Sequence, residues 1–336
     1  MNNSPRLITN IDITNTAQKF LSASAFIELQ NKKGQIIISS LLSDNTKMAK
    51  GNKLNYGFSM LPADTLKQYV KAEYQGSVLN VCPKATDNDC QKTCLGLVSG
   101  MFSMRGGAAF KSLIKKAVLF NYEFETFKEC LEDELAVLAS YQKRKNRKNN
   151  SADKVHIRLD VFSDNKKRNI ELINQLNGEF KTIRDNIEFY DYTKLHSVKM
   201  LKQAQTNDYN IALSVSRHTL EDSQAIKTYK ECTNYARYSA IVVSPETHKN
   251  LLAWYKNLAH NVILDGDIFD TFTLHDNDKN TPHQFLLLKG KAASNANKSL
   301  VADSMELTFN DVITIVTAIQ SENKRFNSAV IKSMDL

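Results

Sequence analysis

The sequence predicts an α/β protein built on a parallel sheet, a complete or partial TIM-like barrel with an N-terminal β-hairpin extension, with an open doubly wound sheet as the alternative. Three observations predict it. From His156 onward, apolar runs of strand length alternate with helical stretches, and parallel strands require such crossovers. Nearly every run ends in a charged or hydroxyl residue, which is how the ligand-facing edge of a parallel sheet reads. Hydrophobic residues make up 42% of the 336 residues, enough for a sizeable core and too many for a disordered chain.

The elements follow in order. Residues 1–42 hold two β-rich runs, Ala25–Leu29 and Gln35–Ser39, separated by Asn31-Lys32-Lys33-Gly34. This spacing predicts a hairpin. Leu54–Leu61 alternates and predicts a strand. Residues 82–107, rich in Cys, Gly, Asp and Lys, predict a functional loop or a loop with a short helix. From Ala108 to Ala139, Leu113, Ala117, Phe120, Phe124, Phe127, Leu131, Leu135 and Leu138 recur at three- or four-residue steps. That period predicts helix, with Asn121 separating two of them. Lys143–Asn150 (KRKNRKNN) predicts a solvated helix end and loop, with phosphate contact as the sharper alternative. Strands are predicted at His156–Phe162, Ile187–Tyr192, Ile211–Ser216, Ser239–Ser244, Val262–Leu264 and Phe285–Lys289. Helices are predicted at Arg168–Gly178, Lys194–Gln205, Thr219–Tyr229, Glu246–Asn257 and Thr308–Ser321. The expected division is a β extension over 1–42, a barrel-like core over 43–300, and a final helix and tail over 301–336.

The formal net charge is +8. A basic surface fits an acidic polymer as partner, with nucleic acid, DNA in particular, the first candidate. No run reaches the roughly 18 apolar residues of a membrane span, and Met1–Phe20 lacks an apolar signal core. A cytoplasmic location is the expectation. Glycine-rich phosphate loops, dinucleotide fingerprints, zincin helices and nucleophile elbows are not found in the sequence.

The strand ends carry the candidate chemistry. Asp160 lies in the first of these strands, which runs into Ser163-Asp164. The next ends in Asp191-Tyr192-Thr193-Lys194, and the next in Ser216-Arg217. Val262–Leu264 runs into Asp265-Gly266-Asp267-Ile268-Phe269-Asp270, and Phe285–Lys289 ends at Lys289. Alternate residues of a strand share a face, so Asp265 and Asp267 can project together. Two close carboxylates separate their pKa values, one acting as base or nucleophile and the other as acid; the pair could also hold Mg²⁺. Asp160, Asp164 and Asp270 complete the candidate catalytic set. Asp191, Tyr192, Lys194, Ser216, Arg217 and Lys289 are candidate substrate contacts, with Lys194 and Arg217 suited to a phosphate. Ser163, Asp164, Thr193 and Ser216 also suit helix N-caps.

Cys82, Cys90 and Cys94 lie in VCPKATDNDCQKTCLG. Three close thiols suit zinc or an Fe–S cluster. Cys130 and Cys232 read as core residues, as does His156, while His275 and His283 lie near the acidic group.

Several of these pieces resemble a known phage family, the gene product eighty-eight family. The matching residues are Asn45-Thr46-Lys47-Met48, Cys82-Pro83-Lys84-Ala85-Thr86, Cys90, Cys94-Leu95-Gly96, Arg158-Leu159 and Ser163-Asp164. They continue with Phe189-Tyr190-Asp191-Tyr192-Thr193-Lys194, Leu213-Ser214-Val215-Ser216-Arg217, Asp265-Gly266-Asp267, Asp270 and Leu288-Lys289-Gly290-Lys291-Ala292. The family is carried by phages and other mobile elements, and the resemblance implies no particular activity. More distantly, Gly266-Asp267-Ile268-Phe269-Asp270 resembles the nucleophile region of guanine transglycosylases, zinc-carrying barrels that exchange a guanine through an aspartate. The early cysteine trio is similar in placement to that of radical S-adenosylmethionine barrels.

Three functions are expected, in order. The first is a nucleobase-modifying transferase exchanging guanine in DNA. In it Asp267 or Asp265 attacks the sugar, Asp160, Asp164 and Asp191 read the base or relay protons, and the cysteines hold a structural metal. The second is an Fe–S radical enzyme using Cys82, Cys90 and Cys94. The third is a nucleic-acid-binding protein without chemistry.

Overall fold

The computed structural model describes residues 5, 7, 9–44, 54–62, 64–83, 107–161, 163–179, 181–256, 263–265, 284–289 and 307–319. They fall into two compact units, one up to Asp191 and one from Tyr192 onward. Both combine helices with strands, paired both parallel and antiparallel in the first unit and parallel in the second, so the α/β class holds.

The first unit opens with β1 (Ile11–Asp12), α1 (Thr14–Phe20), α2 (Ala23–Leu29) and β2 (Ile37–Ile38), with β1 antiparallel to β2. The expected hairpin strand Ala25–Leu29 is a helix. Its apolar content hid the helix signal: Ser22 accepts the Ala25 amide as N-cap, and Ala25 and Leu29, four residues apart, are the buried pair. Gln35–Ser39 keeps two strand residues, which pair with Ile11–Asp12 instead. The turn between them is real. Asn31 accepts the Lys33 and Gln35 amides at 2.8 and 3.0 Å, and Gly34 takes φ +75°, which only glycine adopts at no cost.

β3 (Leu42–Ser43) is antiparallel to β4 (Asn55–Phe58), and β4 is parallel to β5 (Val155–Arg158) and β5 to β6 (Ile187–Thr193). Between β4 and β5 lie α3 (Ala108–Tyr122) and α4 (Phe124–Asn149). They part at Glu123, whose φ of −134° leaves helical space, while Asn121 accepts the Leu79 amide from within α3. The apolar stripe is buried as its period requires: Leu113, Ala117, Phe120, Phe127, Leu131, Leu135 and Leu138 are all core. Phe58, Phe120 and Phe127 cluster with centroids 4.9 to 6.0 Å apart. Two charges interrupt that stripe. Glu134 accepts the Leu41 and Leu42 amides at 2.7 and 2.8 Å, and the Lys116 ammonium donates to the Leu41 carbonyl at 2.6 Å. Together they fix the segment entering β3. After β5 come α5 (Lys166–Glu179) and α6 (Lys181–Asn186), and α6 packs on α4.

The second unit runs α7 (Val198–Thr206), β7 (Tyr209–Val215), α8 (Arg217–Glu221), α9 (Ser223–Cys232), β8 (Tyr238–Val243), α10 (Pro245–Lys256), β9 (Ile263–Asp265), β10 (Gln284–Lys289) and α11 (Phe309–Ile319). Its strands are parallel in the order β7, β8, β10, β9. The caps are sequence-legible: Asp222 accepts two amides at the start of α9, and Thr308 and Asp311 cap α11 reciprocally. Among the described residues β3 pairs with β4 alone and β9 with β10 alone.

Candidate functional site

In the first unit the C-terminal ends of β5 and β6 meet in a buried network of charges. It begins as backbone accounting. Past Arg158 the β5 chain leaves the ladder, and its next two amides need acceptors. The Asp191 carboxylate, fully buried on β6, supplies them: it accepts from Leu159 at 3.1 Å and from Asp160 at 3.1 and 3.2 Å. The Arg158 guanidinium lies 3.4 Å from the same carboxylate. A carboxylate here therefore extends the sheet edge and anchors a cation.

Asp160 is the second buried carboxylate. Its oxygens accept from the Ser163 hydroxyl, from the Asn165 amide at 2.9 Å, from Asn169 at 2.8 Å and from the Lys166 ammonium at 2.6 Å. Lys166 opens α5, is fully buried, and reaches Asp164 at 3.1 Å. Burial pushes the Lys166 pKa down, but the carboxylates of Asp160, Asp164 and Asp191 outweigh it and hold the pKa above the usual lysine value. Lys166 is therefore a fixed cation at neutral pH. Asp164 keeps 16% of its side chain exposed, the most open carboxylate of the three. The same segment touches the start of the cysteine loop, for the Asp164 amide donates to the Val81 carbonyl at 2.8 Å, one residue before Cys82.

Thus Asp160 and Asp164, close in sequence, and Asp191, from the next strand, form one constellation. The sequence reading missed Lys166 and Asn169, which complete it. The signal was weak: a lysine six residues beyond Asp160 and an asparagine nine beyond have no periodic relation, because the turn between them sets the distance.

The second unit aligns its own strand ends. Val215 pairs with Ile241, Val243 with Lys289, and Leu287 with Asp265, so Ser216, Ser244, Lys289 and Asp265 come at the C-terminal ends. Ser216 is buried, and its carbonyl and amide bond to Thr219 at the start of α8, whose first residue is Arg217. Ser216 thus meets the start of α8 through its backbone. Tyr192 and Lys194 lie at the end of β6, partly buried, and Thr193 accepts the Leu195 amide. The Asp265 carboxylate lies 3.2 Å from Nε2 of His248, a buried histidine on α10. Sequence reasoning missed His248, since nothing in a helical stretch marks it as facing a strand end. Ser244 orients that helix by accepting the Thr247 amide at 3.1 Å.

Asp267, Asp270, Cys90, Cys94, His275 and His283 lie outside the described residues. Among the described residues no group of three histidine, cysteine or acidic side chains is arranged to hold a metal. Cys232 is fully buried and its pKa is pushed up to about 11 by burial; that of Cys130 is raised for the same first reason. Both are poor nucleophiles, in keeping with core residues. His156 is buried in β5, 3.6 Å from Glu188. No helix among the described residues is long and apolar enough to cross a membrane.

The fold and these strand ends define an α/β protein whose charged groups gather where parallel strands terminate. Residues 39–303 match the model of the gene product 88 family, and the chain belongs to that family. Searches of curated proteins and of solved structures return no match.

Proposed function

We propose that the chain is a transferase that exchanges guanine in DNA, with its reaction centre at the strand end that begins with Asp265. The observation that carries this reading is the concentration of carboxylates at strand ends, held by dedicated partners: Asp191 by backbone amides, Asp160 by Lys166, and Asp265 beside the buried His248. Buried charge is costly to keep, and both acidic strand ends have their own cation or imidazole.

In the proposed reaction the Asp267 carboxylate attacks C1′ of the target nucleotide. The C1′–N9 bond breaks, and the departing guanine takes a proton. The incoming base then attacks C1′ through N9, loses its N9 proton, and releases Asp267 as carboxylate. Asp265 with His248 is the proposed proton donor and acceptor. In the first unit, Asp164, the most open of its trio, is proposed to read a base or relay protons, with Asp160 and Asp191 as its support. Lys194, Arg217 and Lys289 are proposed phosphate contacts, with Ser216 and Tyr192 lining the same edge. A base in a duplex must be flipped out to react, and a complete or partial barrel is the architecture this reading carries with it. Cys82, Cys90 and Cys94 are the proposed ligands of a structural zinc.

The test is Asp267→Asn. Exchange of isotope-labelled guanine into duplex DNA should fall to background with an unchanged melting temperature. Full exchange by the variant would remove Asp267 from the reaction.

A second reading is an Fe–S enzyme, favoured by one observation: Cys82 follows the residue hydrogen-bonded to Asp164, so the cysteine loop departs from the charged strand end. It requires iron and sulfide in protein purified without oxygen.

A further inference from the structure

We propose that the last two turns of α4 are a docking face for the phosphate backbone of duplex DNA. Lys143, Arg144, Arg147 and Lys148 are all exposed. At 3.6 residues per turn they fall within an arc of about 140°, so they form one cationic face. Lys145 adds a fifth, part-buried charge. Among the described residues none of the five makes an ion pair or hydrogen bond.

Cations at a helix C-terminus can simply complement the helix dipole. Here the helix end is finished by neutral groups. Asn150 takes the left-handed conformation at φ 49°, the Asn146 side-chain Nδ2 donates to the Asp153 carbonyl at 2.7 Å, and Gln142 and Ser151 donate to Asn146 Oδ1. The cations are therefore not needed to close the helix. Asp153 brings one carboxylate to that end against five cations. Asp133, upstream on the same face, lies ten residues before Lys143, about 15 Å at 1.5 Å per residue, which exceeds the screening length of roughly 8 Å in physiological salt.

Duplex DNA is the occupant that fits. The tract has no aromatic residue to stack exposed bases, as single strands require. It offers only charge, which is what a duplex backbone reads. Val137, the exposed apolar residue on α4, is a single side chain, too little to enter a lipid surface. The choice of DNA rests on the proposed exchange reaction; the cationic face itself rests on geometry alone.

The experiment compares the full chain with a Lys143→Ala, Arg144→Ala, Arg147→Ala, Lys148→Ala variant, titrated against a short labelled duplex at several salt concentrations. The expected result is weaker binding at low salt and a salt slope shallower by about 3 to 4, near 0.9 per lost phosphate contact, with an unchanged melting temperature. An unchanged slope overturns the proposal. So does loss of binding to anionic phosphatidylserine vesicles with duplex binding intact. If the parent chain exchanges no guanine but the four-site variant still flattens the slope, the reaction fails and the docking face stands.

Discussion

Replacing Lys166 by methionine should destabilise the first unit through what it leaves behind. Lys166 is fully buried and donates to Asp160 at 2.6 Å. Methionine fills similar volume, so the main loss is the charge. Removing one partner of a buried ion pair costs about 3–5 kcal/mol, because the other charge stays buried. Asp160 keeps Asn169, the Asn165 amide and Ser163, which places the expected cost near the lower end, about 3 kcal/mol. The pH sign is clear. The folded pKa of Lys166 is raised, so its contribution is complete below the unfolded lysine pKa and fades only as pH rises above it. At pH 7 the full effect should be seen. Urea unfolding followed by circular dichroism should move its midpoint down by about 1 M or more, at slopes of about 1–3 kcal/mol/M. Adding Asp160→Asn should cost less than the two single losses summed, by roughly 0.5–3 kcal/mol. A Lys166→Met midpoint equal to that of the parent, or strict additivity in the double variant, would refute the argument that the two charges hold each other.

Lys116 should behave oppositely in pH. Burial pushes its pKa down to about 8, against a smaller upward pull from Glu134. Between about pH 8 and the unfolded value of 10.5 the unfolded chain holds a proton that the folded chain has released, so stability should rise with pH by up to about 1.4 kcal/mol per unit. Lys116→Met should flatten that rise in urea midpoints; an unchanged slope would remove Lys116 as its source. For the cysteines, one zinc per chain without a visible absorbance band should be lost in a Cys82→Ala, Cys90→Ala, Cys94→Ala variant. Iron with sulfide would favour the radical enzyme, and zinc retained by the variant would place the metal elsewhere.

Much of the fold was legible because its strands are β-branched, apolar and flanked by polar ends. The β8 run Ser239–Ser244 and the β7 run Ile211–Ser216 each lie within two residues of the structural strand. Ala25–Leu29 was misread because Phe26 and Ile27 look like strand residues, while the determining features were a serine cap and a four-residue burial step. The site was half legible. Carboxylates at strand ends stand out against apolar runs, so Asp160, Asp191 and Asp265 could be named. Their partners could not: Lys166, Asn169 and His248 sit on helices, and their meeting depends on how tightly each turn brings helix to strand. Glu134 and Lys116 were hidden for a related reason, as charged residues on otherwise apolar helix faces whose partners are backbone groups of a segment some 75 to 93 residues away.

The central claim is that the charged strand ends catalyse base exchange, and its most direct test is made on the parent chain. Duplex DNA is incubated with isotope-labelled guanine and the protein, then digested to nucleosides and weighed by mass spectrometry. The account predicts label in deoxyguanosine that accumulates with time and is absent with Asp267→Asn. No label above background with fully folded, metal-replete protein would contradict it.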